Sequence, residues 1–290
     1  MAKPYPFEIR NLKPDEAEKM KAFSGTTWTQ ELVWLVANNL DYDTAKSILL
    51  MQRFPFLEFS TMFHSEMIQY YLEQSKGDEK KQKEIKMMTT HILDQLAMAP
   101  SPRFIKTHLP LSMLSPNILN TKVARDPRDV IVSFYLISRS MTFVGWTGDF
   151  KSFWDLLIND LLHWMPFFEH LKEAWEKRHH PNLLFMFFEE LKKDLPAMIN
   201  RVSDFMGKKY SDEEVATLCE HLHVNNFKKN PSLNIEIFKE LGLTKPDLEF
   251  IRRGKAGGWR DYFDEEMIAR TDKWMEENLR DTDLRFPSAE

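Results

Sequence analysis

Apolar positions recur at two spacings along the chain, and their alternation lays out the elements. Between Thr27 and Leu40, the residues Trp28, Leu32, Leu35, Val36 and Leu40 fall at helical spacing, which predicts an amphipathic helix. Arg103–Leu109 reads as a short strand. Asp126–Ser138 reads as a helix opening, because Asp126 can cap it, Pro127 suits the first helical position and Asp129 sits in the first turn. Residues 150–177 place Phe153, Leu156, Leu157, Leu161, Trp164 and Phe168 on one helical face. Asn182–Phe188 is almost wholly apolar, as befits a strand buried on both faces of a parallel sheet. Helices follow over 195–206 and 211–222, while the charged stretch 75–87 reads as a solvated loop or helix end. Strands alternating with helices predict an α/β fold, and no Pro/Gly linker divides it.

Composition narrows the function. With 22 Phe among 290 residues, an aromatic core and an aromatic pocket are expected. The net charge of −5 excludes a general nucleic-acid binder, so any anion site must be a local basic cluster. Cys219 is the only cysteine, which excludes an intramolecular disulfide and fits a reducing compartment. Met1–Pro6 lacks the apolar core of a signal peptide, and no run reaches the roughly 18 apolar residues of a spanning helix. The expectation is a cytoplasmic protein with neither membrane nor nucleic acid as partner.

Four segments can carry chemistry. Ser24, Gly25, Thr26, Thr27 and Trp28 stand directly before a helix, where backbone N–H groups and hydroxyls suit a phosphate; the plainer reading is a helix cap. Lys106 and His108 lie two apart at a strand end and would project together, with Thr107 turned away. That pairing suits group transfer, with His108 as base and Lys106 neutralising a leaving phosphate; a surface Lys beside a satisfied His is the alternative. Arg125 precedes a helix N-terminus and Ser133 falls in its second turn, a second anion site, unless Arg125 and Arg128 merely pair with Asp126 and Asp129 at the surface. Arg252, Arg253 and Gly254 open a run reaching Gly257, Gly258, Trp259 and Arg260, where glycine lets the backbone approach a ligand and arginine grips phosphate. A flexible basic loop is the competing reading. Together these imply a nucleotide with several phosphate-like groups. The chain has no G-x-x-x-x-G-K-[ST] and no clear acidic pair for Mg²⁺, so no metal is expected and a kinase is disfavoured.

In order and approximate spacing, Ser24–Trp28, Lys106–Pro110, Arg125 with Ser133, and Arg252–Gly254 up to Gly257 and Trp259 resemble the cytosolic sulfotransferases. The resemblance runs from residue 24 to about 286 and is strongest to the insect branch, through Arg260–Glu266 and Asp281–Arg285. It implies a central parallel sheet flanked by helices, a P-loop-like sulfotransferase fold, with 3′-phosphoadenosine 5′-phosphosulfate (PAPS) as cofactor. The chain would then divide into an N-terminal tip, 1–23, and a single sulfotransferase domain, 24–290. Residues 24–27 would hold the 5′-phosphosulfate and Trp28 would stack on adenine. Arg125, Ser133, Arg252, Arg253 and Gly254 would hold the 3′-phosphate. His108 would be the base with Lys106 beside it, and Phe56 and Phe59 would line the pocket of a small lipophilic hydroxyl acceptor.

The chain departs from that family in several places. Phe23 stands where the family has a Lys that assists the leaving phosphate. Asp15–Lys21 is charged and helical in character, so the central strand that should lead into Ser24 is expected to be missing. Thr121–Ala124 runs straight into Arg125, a shortened version of the next strand. The alternative to an active transferase is therefore a non-catalytic or poorly folded truncated variant. Asp264 and Glu265 replace the Thr-Val pair of the family's dimer motif, which leaves homodimer formation open.

Overall fold

The computed structural model describes residues 18–22, 26–90, 92–93, 96, 99, 102–114, 119–233, 235–246 and 256–288. Its described strands are β1 (Glu18–Ala22), β2 (Arg103–Lys106), β3 (Leu119–Ala124) and β4 (Leu183–Phe187). They form one sheet in the order β2-β1-β3-β4, with every neighbouring pair parallel. All five side chains of β4 are buried, the burial on both faces that its unbroken apolar run predicts. Both ladder edges are engaged. Arg201 donates from Nη2 to the Phe185 carbonyl at 2.9 Å. On the far side Lys106 N–H donates to Pro55 O at 2.7 Å, and Leu57 N–H donates to Lys106 O at 2.8 Å. The second contact locks the 55–57 segment beside β2 and places Phe56 against Lys106.

The missing central strand is a point of correction. Glu18–Ala22 is a strand, and it lies between β2 and β3, with Lys21 in register with Lys106 and with Thr121. Charge along Asp15–Lys21 suggested a helix, but a central position in a parallel ladder is set by backbone N–H and C=O groups that must all be paired. β1 supplies those partners on both sides. The same strand therefore belongs to the sheet rather than to an N-terminal tip. β3, the strand expected to be shortened, spans six residues and has partners on both sides.

Other elements shift in smaller ways. The first helix spans Thr26–Ala37, and every residue from Thr29 to Val36 is buried. It is sunk in the core rather than amphipathic, and its one acid, Glu31, is fully buried. Glu31 accepts from Arg53 Nη2 at 2.8 Å and Asn230 Nδ2 at 3.0 Å, with His221 Nε2 at 2.9 Å. Where 75–87 reads as a solvated loop or helix end, residues 79–89 form a helix capped by Asp78. The helix expected over 150–177 is two, Phe150–Ile158 and Phe167–Glu176, because Pro166 cannot donate in a continuous helix. Asp160 and Trp164 in the intervening loop have left-handed φ of 59° and 63°. The helix Pro127–Ser140 opens as its sequence dictates, with Asp126 accepting from Arg128 N–H at 2.9 Å and Pro127 in the first turn.

Candidate active site

In an open parallel sheet, ligands gather outside the carboxyl ends of the strands. Here the candidate residues follow those ends: Thr27 and Trp28 after β1, Lys106 at the end of β2 with His108 beyond it, Arg125 after β3 and Phe188 after β4. All of them line one cavity of about 1380 Å³, as do Phe56, Phe59 and Ser133. Thr26 begins the first helix, so its backbone marks a helix N-terminus at the cavity. Phe23, Ser24, Gly25, Arg252, Arg253 and Gly254 lie outside the described residues.

At one end of the cavity the chemistry converges on Phe56. Lys106 Nζ sits 4.6 Å from the Phe56 ring centre, and the His108 ring meets Phe56 edge-on at 4.9 Å. β2 ends at Lys106, so His108 lies just beyond the strand rather than on it, yet the two side chains share a neighbour as the spacing anticipated. Thr107 is turned inward and buried, its hydroxyl accepting from Leu109 N–H at 3.0 Å. Phe59 extends the aromatic wall, 6.0 Å from Phe56 and 5.9 Å from both Phe143 and Phe238.

Burial sets the protonation states there. Loss of solvent brings Lys106 down to about 8, against a countervailing pull from Glu58. Loss of solvent also holds His108 well below the usual imidazole range, reinforced by the charges of Lys106 and Lys122 and by His170. A neutral imidazole beside an ammonium that is still protonated at neutral pH is a base next to an anion-stabilising group. Burial likewise brings Lys122, on β3, down to about 8 and His170, on the helix Phe167–Glu176, down to about 4.

Three residues of this end were not picked out by sequence. Glu58 is buried and accepts from the backbone N–H of His108 at 2.6 Å. Burial raises its carboxyl, opposed by hydrogen bonds from His108 and Thr107 and by the charge of Lys106. The signal was present: a lone acid in the apolar run Phe54–Phe59 has to be buried with partners. Trp164 packs its ring 4.6 Å from His108 and 6.3 Å from Phe56 on a backbone that non-glycine residues seldom adopt. Lys122 is buried in the middle of β3, where its polarity gave no sequence pattern to follow.

The other end is built from cations and flat rings. The Arg125 guanidinium lies 4.3 Å from the Phe188 ring and pairs with Asp129 at 3.1 Å. Arg128 pairs with Asp126 at 2.8 Å. Both ion pairs foreseen at the surface thus exist, but both carboxylates are buried. Trp28 donates from Nε1 to the Leu222 carbonyl at 2.8 Å and meets Phe188 edge-on at 5.8 Å. Lys192 Nζ stands 5.7 Å from the Trp28 ring. Among the described residues no cluster of His, Cys, Asp and Glu is arranged to hold a metal ion, and no helix is long and apolar enough to cross a membrane.

A parallel α/β sheet with a cavity at its carboxyl ends, lined by a lysine, a histidine and an arginine, is an arrangement suited to group transfer. A family profile described as "Sulfotransferase domain" matches residues 23–283, and the chain belongs to the sulfotransferase family. Luciferin sulfotransferase of Photinus pyralis is 32% identical over 284 residues, covering 94% of this chain and 73% of that protein. Sulfotransferase 1E1 of Bos taurus is 28% identical, covering 91% and 82%. Among solved structures, retinol dehydratase in complex with androsterone and inactive cofactor PAP matches with a TM-score of 0.87 and 41% identity, over 95% of this chain and 84% of that one. A second structure of retinol dehydratase, with retinol and PAP, matches equally well.

Proposed function

We propose that this chain is a sulfotransferase that uses PAPS and transfers its sulfuryl group to the hydroxyl of a small lipophilic acceptor. One observation carries the reading: one cavity at the carboxyl ends of the strands is lined by Lys106 and His108 with the aromatic residues around them and also by Arg125, Ser133 and Trp28. The side chains fit such a nucleotide. A guanidinium and a hydroxyl suit a phosphomonoester, and the Trp28 and Phe188 rings offer flat faces for a purine. Bound there, the donor supplies an activated sulfuryl group on a phosphate leaving group.

The chain's own residues do the rest. His108, held neutral, accepts the proton of the acceptor hydroxyl. Lys106 offers positive charge to the oxygen that leaves. The N-terminus of the Thr26–Ala37 helix, with Thr27, points backbone donors at the 5′ group. Arg125 and Ser133 hold the 3′-phosphate, with Arg252, Arg253 and Gly254 assigned to the same group. Phe56 and Phe59 exclude water around the acceptor. This division of labour is positioning plus charge neutralisation, as in phosphoryl transfer. Likeness to retinol dehydratase, solved with retinol and with androsterone, favours extended isoprenoid or steroid-like alcohols.

The test begins with thermal melts of the purified chain with and without PAP, the desulfated nucleotide. At 100 times its Kd the ligand should add about 2.7 kcal/mol of stability. Transfer of labelled sulfate from PAPS to retinol or androsterone should follow. An unmoved melt at millimolar PAP would overturn the reading. Phe23, in place of the family's lysine, favours a second reading in which the chain binds the nucleotide without transferring from it. A shifted melt with no transfer to any hydroxyl acceptor selects that one.

A further inference from the structure

Arg125, assigned to the 3′-phosphate, and the turn at Gly257, which follows the assigned Arg252–Gly254 in sequence, are far apart along the chain, and one side chain connects them. Asp129 sits in the first turn of the Pro127–Ser140 helix and is only 3% exposed. Its Oδ2 accepts from Gly257 N–H at 2.7 Å and its Oδ1 accepts from Trp259 N–H at 3.0 Å. The Arg125 guanidinium reaches Oδ2 as well, at 3.1 Å. Gly257 takes a left-handed φ of 76°, the conformation that lets both amides of one turn face a single carboxylate. Trp259 anchors the turn from its other side, buried in the core between Arg128 at 4.3 Å and Arg260 at 4.6 Å.

We propose that Asp129 is a positioning residue for the nucleotide's 3′-phosphate: it fixes the Arg125 guanidinium and docks the Gly257–Trp259 turn against the same carboxylate. The proposal rests on the reading that Arg125 faces the 3′-phosphate. A carboxylate beside Arg125 lowers the net positive charge there, so its benefit is not attraction. It lies in geometry. Arg125 is held between Asp129 and the face of Phe188, and the fork of a guanidinium binds phosphate well only when its plane is fixed. The turn gains in the same way, since two buried N–H groups would otherwise lose their acceptors.

Calorimetric titration of the full chain with PAP and, separately, with 5′-AMP tests this, because the second nucleotide lacks the 3′-phosphate. The wild type should bind PAP the more tightly. Asp129→Asn keeps the shape but faces three donors with one fewer acceptor oxygen. It should weaken PAP by roughly 10- to 100-fold, the worth of a hydrogen bond to a charged group, while 5′-AMP changes by less than about threefold. Equal weakening of both nucleotides would mean that Asp129 only supports the fold, and would overturn the proposal. So would an Asp129→Asn chain with unchanged preference for PAP. A wild type that does not distinguish PAP from 5′-AMP would instead remove the underlying placement of the 3′-phosphate at Arg125. If Asp129→Asn gives no cooperative melt, Gly257→Ala decides, since it leaves the carboxylate and strains only the turn. The same selective loss of PAP is expected, and full discrimination in that variant overturns the proposal.

Discussion

Around His108 the cavity is walled by Phe56, Phe59, Phe143 and Trp164, whose rings touch at many angles. Around Arg125 it is walled by that guanidinium and the rings of Phe188 and Trp28, with the buried Asp129 carboxylate holding both the guanidinium and the Gly257 amide. Apolar packing is non-directional and tolerates substitution of similar volume. Ion pairs and hydrogen bonds to charged groups are directional, and losing one partner exposes the other to the full cost of burial. The aromatic end can therefore vary in what it accepts. The end around Arg125, proposed to hold the 3′-phosphate, is expected to lose that ligand when one partner is removed.

Substitutions at each end should sharpen that contrast. The largest effect is expected from His108→Ala, which removes the base and should lower kcat by roughly 100- to 10,000-fold while PAP affinity stays within about threefold. Full activity in that variant would show that another group takes the proton. Next comes Arg125→Ala, which should weaken PAP by about 10- to 100-fold with little effect on acceptor KM, measured by varying each substrate in turn. The pH dependence of kcat/KM, which reports the free enzyme, should come third. Lys106 is brought down to about 8, so its cation is present below that pH and lost above it, and the rate should fall as pH rises through about 8. The acid limb should lie well below pH 6.5, because burial depresses His108. A flat profile from pH 7 to 9 would separate Lys106 from the rate. The smallest effect is Phe59→Leu, which trims the aromatic end and should change acceptor KM by less than about tenfold and leave PAP binding untouched.

Much of this plan was legible because local rules and tertiary need agreed. The apolar run of β4 and the Asp126–Pro127 start of the helix each follow from the local sequence alone. β1 was misread because its role depends on backbone groups offered by β2 and β3, which a local reading of charge cannot see. Pro166 carried a helix-breaking signal that the regular spacing of Phe153 to Phe168 obscured. Asp129 was visible as a partner of Arg125, but its capture of Gly257 and Trp259 joins segments that nothing in the local sequence relates. Glu58 and Trp164 act through tertiary neighbours in the same way.

The place of β1 in the sheet also orders events during synthesis. The strand is made before either of its ladder partners, both of which lie beyond residue 100: Arg103 to Lys106 on one side and Leu119 to Lys122 on the other. The middle of the sheet must then wait while the long helical stretch between them is made. Pairing over such separations closes slowly and leaves strand edges exposed in the interval. The strand that leads toward the helix N-terminus at the cavity is thus made before both of its neighbours and secured only after them, so its edges stay open to other partners until β2 and β3 arrive.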